Sequence, residues 1–206
     1  LGWGRWLLCC LEDYPKEKKK KEKKESLYSM KLHLGCGKKH IHGFVHVDRN
    51  KEVNADYHID IKDLWPFRDK EAELIYSCHN LEYFSKNEAV TVLYEWKRVL
   101  KPDGELWLAV PDFEGITRVY QKYGDIKHRG ILGPLFGEWD NHDTAIYHKT
   151  VYDLRSLSSL LRDVGFKNIK RITDFGFGID DYSMAYIPHK DKSGIPISLN
   201  IKCSKE

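Results

Sequence analysis

From Lys31 onward the chain alternates short β-forming runs with helical stretches, and that alternation constrains the fold more than any other feature. KLHL, FVHVD (Phe44–Asp48), YHIDI (Tyr57–Ile61), AELIYSC (Ala72–Cys78), ELWLAV (Glu105–Val110), FKNIKRI and ISLNIKC read as strands. Between them, Ser85 followed by Glu88 forms a capping-box signature. Ala89, Val92, Leu93, Trp96, Val99 and Leu100 then share one face at helical spacing, and Pro102 and Gly104 end that helix. A second helix is expected over Phe113–Tyr123, with Asp112 as its cap and Gly124 beyond it. A third is expected over Val151–Val164, capped by Thr150 and ended by Gly165. The stretch 125–149 reads as irregular. Strands interleaved with helices predict a mostly parallel sheet covered by helices. Ligands of such sheets bind beyond the carboxyl ends of the strands. The loops that matter therefore follow Leu34, Asp48, Asp60, Cys78 and Val110.

Length and charge narrow the class. The 206 residues suit one α/β domain. No apolar run approaches the ~18 residues that cross a bilayer. Residues 1–29 hold eight basic and five acidic side chains, which accounts for the whole net charge of +3. The body carries no charge excess that points to nucleic acid. The Lys/Glu block of residues 1–29 reads as a solvated, poorly ordered extension, with Met30 as the natural start of a domain over 30–206. Cys9, Cys10, Cys36, Cys78 and Cys203 form no C-x-x-C pair and read as reduced thiols, which points to a cytoplasmic protein.

The loops carry the chemistry. Gly35-Cys36-Gly37 can turn sharply and approach a ligand; a tight turn is the plain alternative. Asp48 ends the next strand, where a carboxylate can accept from vicinal ribose hydroxyls; a cap or turn role is the alternative. Asp60 and the Ile61 backbone are expected to flank a base, although Asp56 and Asp63 lie close enough to exchange roles. In SCHNLEYF, His79 directly follows a buried strand and faces a ligand or is a satisfied core-edge histidine; Glu82 reads as structural. Asp112 in VPDF is a candidate base or merely a helix cap.

In their order, LHLGCG, VHVD, IDI, LIYSCHNLEYF, EWKRVLKPDGELWLAVPDF and GFKNIKRI resemble a class I S-adenosylmethionine-dependent methyltransferase of the type-11-like branch. The resemblance spans roughly residues 31–172. Within that class the chain is similar to small methyltransferases associated with bacterial surface-polysaccharide biosynthesis. The resemblance implies a single Rossmann-like domain with a seven-stranded sheet, helices on both faces and the last strand antiparallel. It implies S-adenosyl-L-methionine as cofactor, with Gly35, Cys36 and Gly37 beside its methionine part. Asp48 would hold the ribose, Asp60 and Ile61 the adenine side, and His79 would lie at the sulfonium end. His33 stands where the family usually places an acid. A third glycine is absent, and Gly37 and Asp48 are only 11 positions apart, too few for a full crossover helix.

The acceptor is expected to be a small molecule or glycan, methylated on oxygen. Asp112, His79 and His148 are the candidate bases, and Tyr147, His148, Tyr182 and Tyr186 the candidate acceptor contacts, with ordinary packing as the alternative for the tyrosines. Three competing readings stay open. A nicotinamide-dependent oxidoreductase would explain strand–GxG–strand–Asp. A metal could bind His40, His42 and His46, although no fourth ligand stands out. A nucleoside-binding domain without chemistry is the third.

Overall fold

The computed structural model describes residues 29–127, 129–140, 145–179, 181–188 and 194–206. Its strands and helices run β1 (Met30–Leu34), β2 (Val45–Val47), β3 (Ala72–Cys78), α1 (Lys86–Val99), β4 (Leu100–Pro111), α2 (Phe113–Tyr123), α3 (Arg129–Phe136), β5 (Glu138–Asp140), β6 (Ala145–Tyr147), α4 (Leu154–Val164), β7 (Phe166–Ile172), β8 (Tyr186–Ile187), β9 (Ile195–Pro196) and β10 (Ser198–Lys205). Single 3-10 turns occupy Leu81–Tyr83 and Tyr182–Met184.

The main sheet has the order β2-β1-β3-β4-β10-β7. Its first four strands are parallel, and β10 is antiparallel to both neighbours. The strand order reverses between β1 and β3, which places a switch point above the Gly35 loop. Among the described residues the sheet has six strands, where the resemblance implied seven. YHIDI contributes only an isolated bridge between Tyr57 and Val47. The reason is local. The amides of Asp56 and Tyr57 both reach the His46 carbonyl, and a turn at Asp60 then leads the chain off the sheet edge.

Alternation sorts the side chains. Leu32, Leu34, Ile75, Leu106, Leu108, Val110, Leu199 and Ile201 point to one face and form the main core with α1 and α4. The capping box of α1 is present, with the Glu88 amide on Ser85 and the Glu88 carboxylate on the Ser85 amide. Trp96 is fully buried there and donates its indole N–H to the Ile61 carbonyl at 2.8 Å. Helix α4 starts at Leu154, three residues later than expected. Tyr152 bridges Asp112 and accepts from the Phe113 amide, so 150–152 stay out of the helix and Asp153 caps it with Ser156.

On the opposite face a smaller cluster packs against the sheet. It consists of Ile41, Tyr76, Ala109 and Phe175, with Trp107 and Phe177 against it, and contains no helical residue. Phe175 and Phe177 stack on Trp107 with ring centroids 5.8 and 5.3 Å away and meet Tyr76 edge-on. A loop thus does the covering that a helix does on the other side. A third cluster joins α2 and α3 to β8 and Ile197. The stretch expected to be irregular holds α3 and the antiparallel β5–β6 pair. Of the segments singled out in the sequence, residues 1–28 of the Lys/Glu-rich extension lie outside the described residues.

Candidate cofactor and acceptor site

The Gly35 loop is built by its neighbours. Gly35 has φ +65°, and a Cβ there would overlap the Asn80 carboxamide. Asn80 Nδ2 reaches the carbonyls of Leu34 and Cys78 at 3.1 and 2.9 Å, which staples the end of β1 to the end of β3. The Gly35 amide donates to the Val47 carbonyl at 2.8 Å. Gly37 has φ +53°, and a Cβ there would meet nothing within 4 Å, so the outer side of the loop is open. Its amide donates to Asp48 Oδ2 at 2.8 Å, and the Asn50 amide donates to Oδ1 at 2.8 Å. Asp48 is buried. Its carboxylate therefore holds the glycine loop and the β2 turn together, and each oxygen keeps a second lone pair for a ligand.

Cys36 is buried, and burial with the nearby Asp48 charge pushes its thiol up to about 12, so it stays a neutral thiol. His33 is buried between Tyr76 and His46. Burial, then His46 and His40, lowers its pKa to about 3, and its Nδ1 has no hydrogen-bond partner. His46 accepts the Ile41 amide on Nε2 and approaches Asp56 through Nδ1, a bonding pattern of a neutral loop-anchoring ring. Among the described residues no group of three or more His, Cys, Asp or Glu side chains could hold a metal ion.

Asp60, expected to flank a base, accepts the Lys62 amide at 3.1 Å and is a turn residue. Ile61 is buried with its carbonyl turned inward to Trp96, so the Asp60 side chain is the outward-facing group of the pair.

His79, Glu82 and His148 lie together. His79 has φ +54° and its Nε2 lies 3.1 Å from Ser198 Oγ. Its Nδ1 lies 3.5 Å from Glu82 Oε1, and His148 Nε2 lies 3.8 Å from the same oxygen. Burial and then His148 lower the His79 pKa to about 3, and burial also lowers that of His148. Tyr182, 69% exposed, sits with its ring centroid 5.7 Å from His79. Tyr147 is half-exposed on β6, and Tyr186 lies in the β8–β9 ladder opposite Pro196. Asp112 is not part of this group of contacts. It is fully buried, caps α2 through the Glu114 amide and pairs with Arg171 at 2.7 Å. That geometry is a structural cap in an ion pair, not an accessible base.

Sequence reasoning passed over Asn80, Arg171 and Ser198, and read Glu82 as structural. One local sign of a buried acid was available for Glu82: Leu81 and Phe84 flank it in an otherwise apolar turn.

A family described as a methyltransferase domain matches residues 41–108. Solved structures match over nearly the whole chain. A putative S-adenosylmethionine-dependent methyltransferase from Listeria monocytogenes has a TM-score of 0.55 and 15% identity, over 87% of this chain and 90% of that one. A methyltransferase described in the same terms from Methanosarcina mazei has a TM-score of 0.53 and 16% identity, over 85% and 92%. The fold is that of S-adenosylmethionine-dependent methyltransferases. The 1,6-didemethyltoxoflavin-N1-methyltransferase of Burkholderia thailandensis, solved with its substrate and S-adenosylhomocysteine, has a TM-score of 0.50 and 13% identity, over 86% and 71%. No curated protein matches the sequence. The Gly35 loop and His79 follow β1 and β3, the two strands between which the order reverses, and Asp48 follows the neighbouring β2.

Proposed function

We propose that the chain is an S-adenosylmethionine-dependent methyltransferase acting on a small-molecule or glycan-type acceptor, on oxygen. The observation that carries this reading is the Gly37–Asp48 contact. A two-glycine loop closes directly onto the carboxylate of the next strand, with open space outside Gly37 and no crossover helix between. A dinucleotide pyrophosphate needs a helix N-terminus at this place, and the short loop supplies none.

The residues present fit the cofactor. Asp48 offers lone pairs to vicinal ribose hydroxyls, and Asp60 lies outward on the adenine side. His33 Nδ1, unpartnered in a neutral ring, stands where the family usually places a carboxylate, and in the Nε2–H tautomer it would accept from the amino group of the methionine part. The sulfonium supplies an activated methyl when bound. The protein's task is then to hold the acceptor in line and to exclude water, which can be worth about 7–11 kcal/mol as effective molarity. Tyr182 and Tyr147 offer the exposed ring faces that suit a sugar-like acceptor. The glycan class and its link to surface-polysaccharide synthesis rest on the family resemblance.

Titration calorimetry tests the reading. S-adenosylmethionine and S-adenosylhomocysteine should bind in the micromolar range, and NAD(H) should not. Binding of NAD(H) alone would replace this proposal with an oxidoreductase.

A further inference from the structure

Glu82 is fully buried, and both of its carboxyl oxygens lack a hydrogen-bond partner. A buried, unpartnered carboxylate is costly, so the groups around it must explain its presence. Two imidazoles approach Oε1, and the opposite nitrogen of each ring fixes its tautomer. His148 Nδ1 lies 2.9 Å from the Pro134 carbonyl, which can only accept, so Nδ1 carries the hydrogen. His79 Nε2 lies 3.1 Å from Ser198 Oγ, whose own hydrogen goes to Asn200 Oδ1. The Asn200 amide nitrogen is held by the Ser183 and Thr173 carbonyls, which sets the orientation of that carboxamide. His79 Nε2 therefore carries a hydrogen, and Nδ1 is bare.

Two bare imidazole nitrogens thus face one carboxyl oxygen. With Glu82 ionised, Oε1 would meet a lone pair of each ring, and the one donor that favours its charge is its own backbone amide. No lysine or arginine among the described residues pairs with it; Lys149 gives it only a backbone amide and sends its ammonium to Glu88. The other titratable groups around it are Tyr83 in its own turn, Cys78 at the end of β3 and Tyr152, and all three are pushed up by burial and therefore neutral.

We propose that Glu82 is a neutral carboxylic acid whose hydrogen lies between His79 and His148, so that one proton ties the turn after β3 to the segment after β6. The Glu82 carbonyl reinforces the same tie by accepting the amides of Lys149 and Thr150. Glu82 is then a positioning residue, which holds the acceptor side of the cleft against the cofactor side. Burial, which pushes its carboxyl up to about 8, agrees with this protonation state. The consequence for turnover rests on the methyltransferase reading; the protonation state does not.

The test uses the full chain and Glu82→Gln, which keeps the shape and removes the titration. Infrared spectra near pH 7 should show a protonated-carboxyl C=O band that Glu82→Gln lacks. Nitrogen NMR should show His79 protonated on Nε2 alone and His148 on Nδ1 alone. Relative to Glu82→Gln, the wild type should lose melting temperature as pH rises from about 4.5 to about 8. If Glu82→Gln does not fold, the wild-type carboxyl band and histidine shifts decide. A carboxylate band alone, an imidazolium at either histidine, or parallel melting curves would overturn the proposal. So would Zn²⁺ raising the wild-type melting temperature but not that of Glu82→Gln, since a metal ion would then occupy the proton's place.

Discussion

The Gly37 amide and the Asp48 carboxylate meet at 2.8 Å, so the residue suited to the ribose also holds the loop that would pass the methionine. Stability and ligand binding are coupled at this contact. Asp48→Ala leaves two amides without an acceptor, which costs about 1–3 kcal/mol. It should also weaken S-adenosylmethionine binding by about tenfold or more, since one or two charge-assisted hydrogen bonds are lost. Thermal melting and calorimetry on the same sample separate the two effects. Unchanged affinity beside a lowered melting temperature would leave Asp48 a loop anchor only.

The two glycines should respond differently to alanine. At Gly35 the new Cβ overlaps Asn80 and the backbone is left-handed, a combination worth about 3 kcal/mol. At Gly37 only the left-handed backbone penalises the change, by about 1 kcal/mol. Denaturant unfolding of the two variants checks this order. Affinity should fall in both, because Gly37→Ala puts a methyl on the open side of the loop.

Asp112 was a candidate base in the sequence and is a cap and ion-pair partner in the structure. Asp112→Asn keeps the cap and weakens the Arg171 pair, a loss of about 1–2 kcal/mol given that Arg171 is partly exposed. Turnover at saturating substrate should change by less than about tenfold, whereas loss of a general base costs ~10²–10⁴-fold. A loss in that larger range with unchanged stability would restore Asp112 to the chemistry.

The buried histidines predict the acid limb of stability. His33 and His79 have folded pKa values near 3 against 6.5 unfolded. Each is neutral when folded and takes a proton when unfolded, so stability is lost as pH falls below 6.5, by about 1.4 kcal/mol per pH unit per group. Glu82 acts in the opposite sense, since its carboxyl rises from 4.5 to about 8. Its contribution is lost as pH rises across that window. Two histidines outweigh one carboxyl below 6.5, and Glu82 acts alone above it. Among these three groups the melting temperature should therefore peak near pH 6.5, and His33→Phe should flatten its acid side. A peak unchanged in position and slope in that variant would show that His33 does not titrate on unfolding.

The parts legible in the sequence were those fixed by neighbours along the chain. The Ser85–Glu88 box set the start of α1, Asp112 and Gly124 bounded α2, and AELIYSC became β3 with those ends. The unread parts depend on contacts across the fold. Thr150 looked like a cap, but its hydroxyl donates to the Phe84 carbonyl, and the bridge from Tyr152 to Asp112 delays α4. YHIDI has the composition of a strand, yet Asp60 turns it away after one bridge. In the site, Asp48 could be read from its place after β2. Asn80 and Glu82 could not, because the first acts on a loop 45 positions earlier and the second faces His148 from 66 positions away.

The antiparallel strand β10 lies inside the sheet, between β4 and β7, although it is the last of the six to be made. During synthesis β4 and β7 must wait with unpaired edges facing each other's empty neighbour position. A nascent chain stopped before Ser198 therefore presents the open edge of β4 and leaves β7 with no partner strand in the sheet, and chaperone binding or edge-to-edge association is the fate that such edges invite. The emergence of β10 from the ribosome, more than the forming of the Gly35 loop, sets the moment at which this sheet can close.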